Sequence, residues 1–244
     1  TVAPARLLRP APLFQALELE ISSPCNLACE TCPNKAHRRP RAELPMAVIE
    51  KVVDEAAALG FTGAFSPHFY NEPLLDDRLE DVLALVRQRL PKSRVHLFTN
   101  FTPMTPERYR ALLPLVDEFI VTTDEPRVRQ AVDAVSAELT DAELTKLKAR
   151  SIQEAGMSNR AGAVDVSEDA QAEPMQNCPF AENLTIDAWG DAHLCCNDYF
   201  GKALFGNVKE RSLADIWFDP AYVKARKLGS RGRHPLCRGC FWIT

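Results

Sequence analysis

Eight cysteines give this 244-residue chain its strongest indication of chemistry, because they fall into two separate groups. Three occupy one short segment, Cys25-Asn-Leu-Ala-Cys29-Glu-Thr-Cys32, and the long stretch that follows contains none. The others lie near the C-terminus: Cys178, Cys195, Cys196, Cys237 and Cys240. A disulfide framework is usually spread through a small secreted chain. Two clusters separated by a long apolar stretch instead predict metal or redox chemistry in a reducing compartment, the cytoplasm.

The first cysteine set (Cys25, Cys29 and Cys32) has the spacing C-x₃-C-x₂-C. Three thiolates this close can ligate three irons of a [4Fe–4S] cluster, which normally has four protein ligands. The fourth iron then keeps an open site, and an open position distinguishes a reactive metal centre from a structural one. A zinc site that lacks one ligand and accidental clustering are the alternatives that the spacing leaves open.

The second cysteine set supplies four thiolates and ends in a C-x₂-C pair. Its members are Cys178, Cys195 or Cys196, Cys237 and Cys240. This inventory suits a tetrahedral zinc site and a second [4Fe–4S] cluster equally well. If Cys195 is the ligand, then Cys196 is left over. Cys196 could then substitute as a ligand, donate a hydrogen atom, or be a small buried apolar side chain.

The hydrophobic pattern between the two sets predicts strands and helices in alternation. Strands are expected near residues 17–21, 63–66, 95–99 and 118–122, with helices between them. This alternation is typical of βα units and a parallel sheet. An eight-stranded barrel takes about 250 residues, and only about 150 precede the second set. The sequence therefore predicts an α/β fold, a partial TIM-like barrel of about five or six strands. Further helices are expected over 128–137 and 141–150, and a fifth strand is poorly marked.

Beyond residue 177 the pattern changes to a small α/β unit that a metal would hold together. Two strands are expected around a turn at Trp189-Gly190-Asp191, and Ser212 is a plausible cap for the helix that follows. The net charge of −4 gives no electrostatic reason to expect nucleic-acid binding. No apolar run approaches the ~20 residues of a membrane span.

The ordered motifs of the chain resemble the radical S-adenosylmethionine (SAM) superfamily. Its signature is C-x₃-C-x₂-C after the first strand of a partial barrel, although Thr31 stands where the family often has an aromatic residue. The other matches follow in the family's order, each at the C-terminal end of a predicted strand, where barrel active sites form. They are Tyr70-Asn71-Glu72-Pro73, Thr99-Asn100, Thr122-Thr-Asp124 and Ser158-Asn-Arg160-Ala-Gly162.

The resemblance implies a role for each matched position. The first cysteine set would bind a [4Fe–4S] cluster that SAM chelates through its amino and carboxylate groups. Residues 70–72 would lie at the amino end of SAM, Thr122 and Asp124 would lie at its ribose, and Asn100 would also bind SAM. Arg160 and Asp198 are predicted to contact the substrate.

The second set resembles the SPASM/twitch extension of radical SAM enzymes. In that extension a cysteine is followed after some ten residues by Gly-x₄-Cys, and Gly190 fits this pattern with Cys195 as the ligand. Four or five cysteines match the shorter twitch form, with one auxiliary [4Fe–4S] cluster that passes electrons. The implied domains are a barrel over residues 1–170 and a twitch domain over 171–244.

The resemblance also implies a reaction. The reduced first cluster would split SAM to a 5′-deoxyadenosyl radical, which abstracts a hydrogen atom from the substrate. If the auxiliary cluster then takes an electron, the result is two-electron oxidation of a small polar metabolite, a sugar or cyclitol alcohol, as in the twitch aminocyclitol dehydrogenases. The alternative is a maturase that forms a crosslink, thioether or epimer in a ribosomally made peptide. Either reaction needs a one-electron donor such as flavodoxin or ferredoxin.

Overall fold

The main sheet is built from parallel strands that alternate with helices. The structure, a computed structural model, describes residues 12–165, 172–174 and 177–243. Strands β1 to β5 lie side by side in sequence order, and each pairs in parallel with the next. Their bounds are Ala16–Leu19, Ala64–Ser66, Arg94–Phe98, Glu118–Thr122 and Leu147–Arg150. The predicted partial barrel is therefore confirmed, and the sheet remains open rather than closing into a ring.

Amphipathic helices cover the outer face of this sheet. In α1 the apolar side chains at helical spacing, such as Ile49, Val52 and Ala56, are fully buried. Thr105 caps α3 by accepting a hydrogen bond from the backbone of Arg108. No helix in the described ranges is both long and apolar enough to cross a membrane. Helices α1 to α6 span Met46–Ala58, Leu79–Arg89, Pro106–Leu112, Pro126–Ser136, Asp141–Leu144 and Ile152–Ala155.

The helix predicted over residues 141–150 is wrong in its second half. Helix α5 begins with a capping box at Thr140 and Glu143, and it ends at Leu144. The next residues form β5, which pairs with β4 from Leu147 opposite Phe119 onward. Lysine, alanine and arginine favour a helix locally, but the open edge of β4 offers a ladder of backbone hydrogen bonds that outweighs this weak preference.

The C-terminal unit extends the main sheet on its other side. Strand β8 (Leu184–Ile186) pairs in parallel with β1, so β1 lies between β2 and β8. Strands β9 (Asp191–His193) and β10 (Leu204–Asn207) continue the sheet in antiparallel fashion. The predicted turn between β8 and β9 is confirmed, and Gly190 adopts a φ of +91° that favours glycine. The continuous sheet across the barrel and the C-terminal unit was not predicted.

A second sheet of three short strands holds the C-terminus. Its order is β6 (Met157–Ser158), β11 (Phe241–Ile243) and β7 (Ala172–Pro174), and both pairings are antiparallel. Ser158 therefore lies in this second sheet and not in the barrel sheet. Ser212 caps α7 as predicted. Helices α7 and α8 span Leu213–Trp217 and Pro220–Gly229, and the predicted domain boundary at residues 170 and 171 lies outside the described residues.

Candidate active site

The first cysteine set lies on the loop that follows β1, and all three side chains remain partly exposed. The loop turns tightly, because the backbone N–H of Cys32 donates to the carbonyl of Cys29 at 3.0 Å. Burial, together with Glu125 and the two neighbouring thiols, raises the pKa of Cys29 to about 12. No positive charge among the described residues offsets this rise at Cys29, and a bound iron cluster would supply the charge that a thiolate ligand needs.

The loops after β2 and β3 are bound to this cysteine loop. The backbone N–H of Glu72 donates to the carbonyl of Pro24, one residue before Cys25. The Glu72 side chain is buried, accepting hydrogen bonds from Thr99 Oγ1 at 2.6 Å and from the backbone N–H groups of Leu74 and Asn100. Burial raises the pKa of Glu72, against the lowering effect of these donors. The structure thus brings the predicted SAM-amino segment beside the first cysteine set.

The other positions predicted to bind SAM differ in their surroundings. Asn100 donates from Nδ2 to Asn26 Oδ1 at 2.8 Å and lies 3.8 Å from Cys25 Sγ. Thr122, the last residue of β4, and Asp124 are both exposed, and Asp124 accepts a hydrogen bond from the backbone of Ile152 at 2.8 Å. Tyr70 and Asn71 are buried, with the Asn71 amide donating to the carbonyl of Pro67. Their roles toward SAM stay predictions.

The second cysteine set gathers thiols from three separate segments of the chain. Burial raises the pKa of Cys195 far above its usual range, and the other three thiols of the set raise it further. Burial also raises the pKa of Cys196. The charges that act on that thiol are those of Glu18 and Arg160 as well as those of Cys195 and Cys178. The structure therefore places Cys195 among the four thiols and turns Cys196 toward the barrel. Asn197 donates from Nδ2 to Cys240 Sγ at 3.4 Å.

The two sets fit iron–sulfur clusters. Within the described ranges, no three His, Cys, Asp or Glu side chains converge closely enough to share one metal ion. A four-iron cluster makes a different demand, because each thiolate binds its own iron. The amide donors of Asn100 and Asn197 near cysteine sulfurs are of the kind that tunes such clusters.

Four side chains that keep solvent-accessible surface lie close to one another: the charge of Arg160 reaches the other three, and we call the space that they face the interior chamber. They are Glu18 on β1, His68 after β2, Arg160 after β6 and Cys196 after β9. Arg160 has a φ of +51°, a strained conformation for a residue with a side chain. Its Nη1 donates to Asn197 Oδ1 at 3.3 Å, and its buried Nε has no hydrogen-bond partner among the described residues.

The chamber lies between the two cysteine sets. Burial alone would lower the pKa of the Arg160 guanidinium, yet its pKa lies above the ordinary value because acidic groups surround it. Those groups are Tyr70, Cys196, Cys32 of the first set and Cys240 of the second. Burial and the charges of Arg160 and Arg39 lower the pKa of His68 to about 3, so that imidazole is neutral at pH 7. Arg160 therefore carries a fixed positive charge close to both sets.

Asp198, the other predicted substrate contact, is buried, and its carboxylate oxygens accept hydrogen bonds from the chain's own backbone. Its oxygens accept hydrogen bonds from the backbone N–H groups of Lys202 and Ala203, both at 2.8 Å. His193 lies between Asp198 and Asp187, and although burial opposes its charge, the two carboxylates raise its pKa to about 9. A substrate contact by Asp198 stays a prediction.

The sequence analysis did not identify Glu18 or His68 as site residues, and it did not predict that the Cys196 side chain faces the interior chamber. The alternation at residues 17–21 contained a signal for Glu18, because a charged residue at every second position of a central strand must point at something polar. Nothing in the sequence distinguished His68 from the other histidines.

Comparisons with known proteins agree with this site. Residues 149–241 match the SPASM family of iron–sulfur cluster-binding domains. The S-adenosyl-L-methionine-dependent 2-deoxy-scyllo-inosamine dehydrogenase of Niallia circulans is 29% identical over 233 residues, 93% of each chain. The crystal structure of BtrN in complex with AdoMet and 2-DOIA superposes with a TM-score of 0.84 at 28% identity, covering 94% of this chain and 93% of the other. Native anSMEcpe with bound AdoMet shares the fold, with a TM-score of 0.62 at 14% identity over 90% and 84% of the chains.

The motifs, the open α/β barrel and these matches define a class of enzyme. The chain is similar to radical SAM enzymes over nearly its whole length, and its C-terminal part carries the SPASM/twitch-type iron–sulfur extension. Its cofactors are SAM and two [4Fe–4S] clusters, and it is an oxidoreductase. The matched SPASM region begins before residue 171, so the predicted division of the domains there stays a prediction.

Proposed function

We propose that this enzyme oxidises one secondary alcohol of an aminocyclitol such as 2-deoxy-scyllo-inosamine to a ketone. The observation that carries the proposal is the interior chamber, which has polar walls and lies between the two cysteine sets. The likeness to the 2-deoxy-scyllo-inosamine dehydrogenase over nearly the whole chain supports this substrate class. No comparison of sufficient similarity favours the peptide maturase.

The chain's own residues prepare the alcohol for oxidation. When bound, SAM and the two clusters supply the radical that removes the carbon-bound hydrogen atom and the acceptor for the remaining electron. The guanidinium of Arg160 donates a hydrogen bond to the hydroxyl oxygen, and its charge stabilises the negative charge that develops there as the hydroxyl proton is released to water. Neutral His68 adds no opposing charge.

The sets of side chains around each cofactor have distinct proposed tasks. Cys25, Cys29 and Cys32 hold the first cluster, and Cys178, Cys195, Cys237 and Cys240 hold the second. Residues 70–72 and Asn100 lie at the amino end of SAM, and Thr122 and Asp124 at its ribose. The barrel over residues 1–170 provides the radical chemistry, and the twitch domain over 171–244 removes the electron.

The electron donor is proposed to be an acidic flavodoxin or ferredoxin that docks beside the first cysteine set. Lys35, His37 and Arg38 are exposed directly after Cys32, and Arg38 reaches the carbonyl of Leu27 within the cysteine loop. Phe200, 46% exposed, contacts His37 and Lys202 and adds an apolar centre to this basic surface. The cytoplasm, where thiols stay reduced, is the proposed compartment.

The test of the proposed function uses anaerobically reconstituted enzyme, SAM, dithionite and 2-deoxy-scyllo-inosamine. We expect a ketone and 5′-deoxyadenosine in equal amounts, with deuterium moving from the substrate's carbon to 5′-deoxyadenosine. A fully loaded enzyme that releases 5′-deoxyadenosine without any ketone would refute the proposal. Charge reversal at Lys35 and Arg38 should slow turnover with flavodoxin and leave turnover with dithionite unchanged, which tests the docking surface separately.

A further inference from the structure

Of the four side chains that line the interior chamber, Glu18 is the one with a carboxylate. It lies in the middle of β1, opposite Thr185 of β8 on one side and Ser66 of β2 on the other. Strand alternation places Leu17 and Leu19 in the hydrophobic core and turns Glu18 to the opposite, concave face. A buried carboxylate at the centre of a sheet is costly unless it is paired or used.

Glu18 is held by neutral donors. Its Oε2 accepts a hydrogen bond from Thr185 Oγ1 at 2.6 Å, and its Oε1 accepts one from Asn183 Nδ2 at 3.1 Å. Among the described residues, no Lys, Arg or His nitrogen lies within ion-pair distance of it. Each carboxylate oxygen accepts about two hydrogen bonds, so each keeps room for another donor.

The neighbouring Glu20, one residue beyond the end of β1 and on the same side of the chain as Glu18, is a carboxylate whose hydrogen-bonding capacity is filled. It binds both terminal nitrogens of Arg39 and accepts hydrogen bonds from the backbone N–H groups of Tyr70 and Ala188. Glu20 has no solvent-accessible surface, whereas Glu18 keeps some of its own in the chamber. These two carboxylates therefore differ. Glu18 can accept further hydrogen bonds and keeps accessible surface, whereas Glu20 does neither.

The charges around the chamber complement an amine-bearing polyol. Burial raises the pKa of Glu18, while Thr185, Asn183 and the charge of Arg160 act in the opposite direction. A substrate ammonium beside Glu18 would favour its ionised form further. Arg160 then remains for a hydroxyl oxygen.

We propose that Glu18 binds the ammonium group of the substrate and so selects an aminocyclitol over the cyclitol that carries a hydroxyl group in its place. This proposal rests on the proposed function, because it assumes that the interior chamber binds the oxidised ring. It makes Glu18 a specificity-determining residue: the carboxylate binds the amine, and Arg160 binds the alcohol that reacts.

The experiment measures binding and turnover of two rings by the cluster-loaded enzyme: 2-deoxy-scyllo-inosamine, and the same ring with a hydroxyl group instead of the amine. Anaerobic calorimetry gives affinities, and ketone formation gives kcat and KM. We expect wild type to bind the amine about 30-fold more tightly, the order of a hydrogen bond to a charged group. In Glu18→Gln this preference should fall to within about 3-fold, mainly through KM. Glu50→Gln, an exposed change on α1, should keep it.

The possible outcomes separate this proposal from the proposed function. A wild-type enzyme without amine preference, or a Glu18→Gln variant that keeps it, overturns the role of Glu18. Amine-selective binding without ketone formation refutes the oxidation and leaves the amine site standing. If Glu18→Gln does not fold with its full iron content, Glu18→Asp decides, because it should weaken binding of the amine more than binding of the hydroxyl ring. Equal weakening of both rings would contradict the proposal.

Discussion

The two cysteine sets differ in how the chain brings them together. The first comes from eight consecutive residues on one loop, whereas the second joins thiols at Cys178, Cys195 and the Cys237–Cys240 turn. Closing long loops costs chain entropy, so the second set depends on the rest of the fold and in turn constrains it. The first set needs only its loop. We therefore expect the first to serve chemistry alone, and the second to serve both electron transfer and the stability of the C-terminal unit.

The surroundings of the second set support this contrast. Asn159 exchanges hydrogen bonds with the backbone of Gly239 and Phe241, on either side of Cys240. Strand β11 follows at once and pairs with β6 and β7. In the first set, Cys25 and Cys29 pack against the hydrophobic core, and Asn100 donates toward Cys25 Sγ. Losing the second cluster should therefore loosen this second sheet as well.

Replacing Cys25, Cys29 and Cys32 with alanine should have the largest effect on chemistry and a small effect on stability. Formation of 5′-deoxyadenosine should fall by at least about 1,000-fold, because the variant lacks the site where SAM is reduced. Iron should fall to half, and Tm should change by less than about 3 °C. Anaerobic assay, iron analysis and thermal unfolding measure these three quantities. A large fall in Tm would contradict the purely chemical role of the first set.

Replacing Cys237 and Cys240 with alanine should have the opposite result: SAM cleavage should persist, and the stability of the protein should fall. 5′-Deoxyadenosine should still form, while ketone should be lost because the electron has no acceptor. Tm should fall by about 10 °C, since metal binding contributes to folding energy. Hydrogen exchange should show loss of protection at β6 and β11. The comparison of the two sets fails if this variant is as stable as wild type.

The sequence predicted the parts of the fold that local pattern controls. The barrel strands, the amphipathic α1 and the Gly190 turn depend on side-chain period and turn chemistry, and the structure has them. The spacing of the first cysteine set was also visible because its ligands are neighbours. The pairing of β8 with β1 was not, since it joins strands far apart in the chain and leaves no mark on either.

The residues of the interior chamber could be predicted only in part. Arg160 was predicted as a site residue because it matches a family motif. Its neighbours Glu18 and Cys196 come from the first strand and from the C-terminal unit. Their meeting depends on the β8–β1 pairing. Strand β5 was missed because residues 147–150 have the composition of a helix, and only the edge of β4 makes them a strand.

Arg160 tests whether the space between the two sets is where oxidation takes place. Arg160→Ala should lower ketone formation by about 100-fold while 5′-deoxyadenosine still forms, because the residue acts on the substrate's oxygen and not on SAM. Arg160→Lys keeps the charge but loses the planar fork, so it should recover only part of kcat. Full iron content in both variants is the control for folding. An equal loss of ketone and 5′-deoxyadenosine would place Arg160 at SAM instead.

The smallest expected effect is a change in the reduction potential of each cluster when the side-chain amide that donates to its cysteine set is removed. Asn197 lies 3.4 Å from Cys240 Sγ, and Asn100 lies 3.8 Å from Cys25 Sγ. A donor to a cluster sulfur favours the reduced, more negative state. Asn197→Ala should therefore lower the reduction potential of the second cluster by about 40 mV, equivalent to one hydrogen bond of about 1 kcal/mol.

The shift at the first cluster in Asn100→Ala should be smaller, because the donor is farther from the sulfur. Titration followed by electron paramagnetic resonance measures both potentials. Ser158→Ala is the matched control, since it removes the hydrogen bond from Ser158 Oγ to Asn197 Oδ1 and leaves the Asn197 amide donor in place. If Ser158→Ala shifts the second cluster as far as Asn197→Ala, the shift comes from repacking and not from the N–H···S contact.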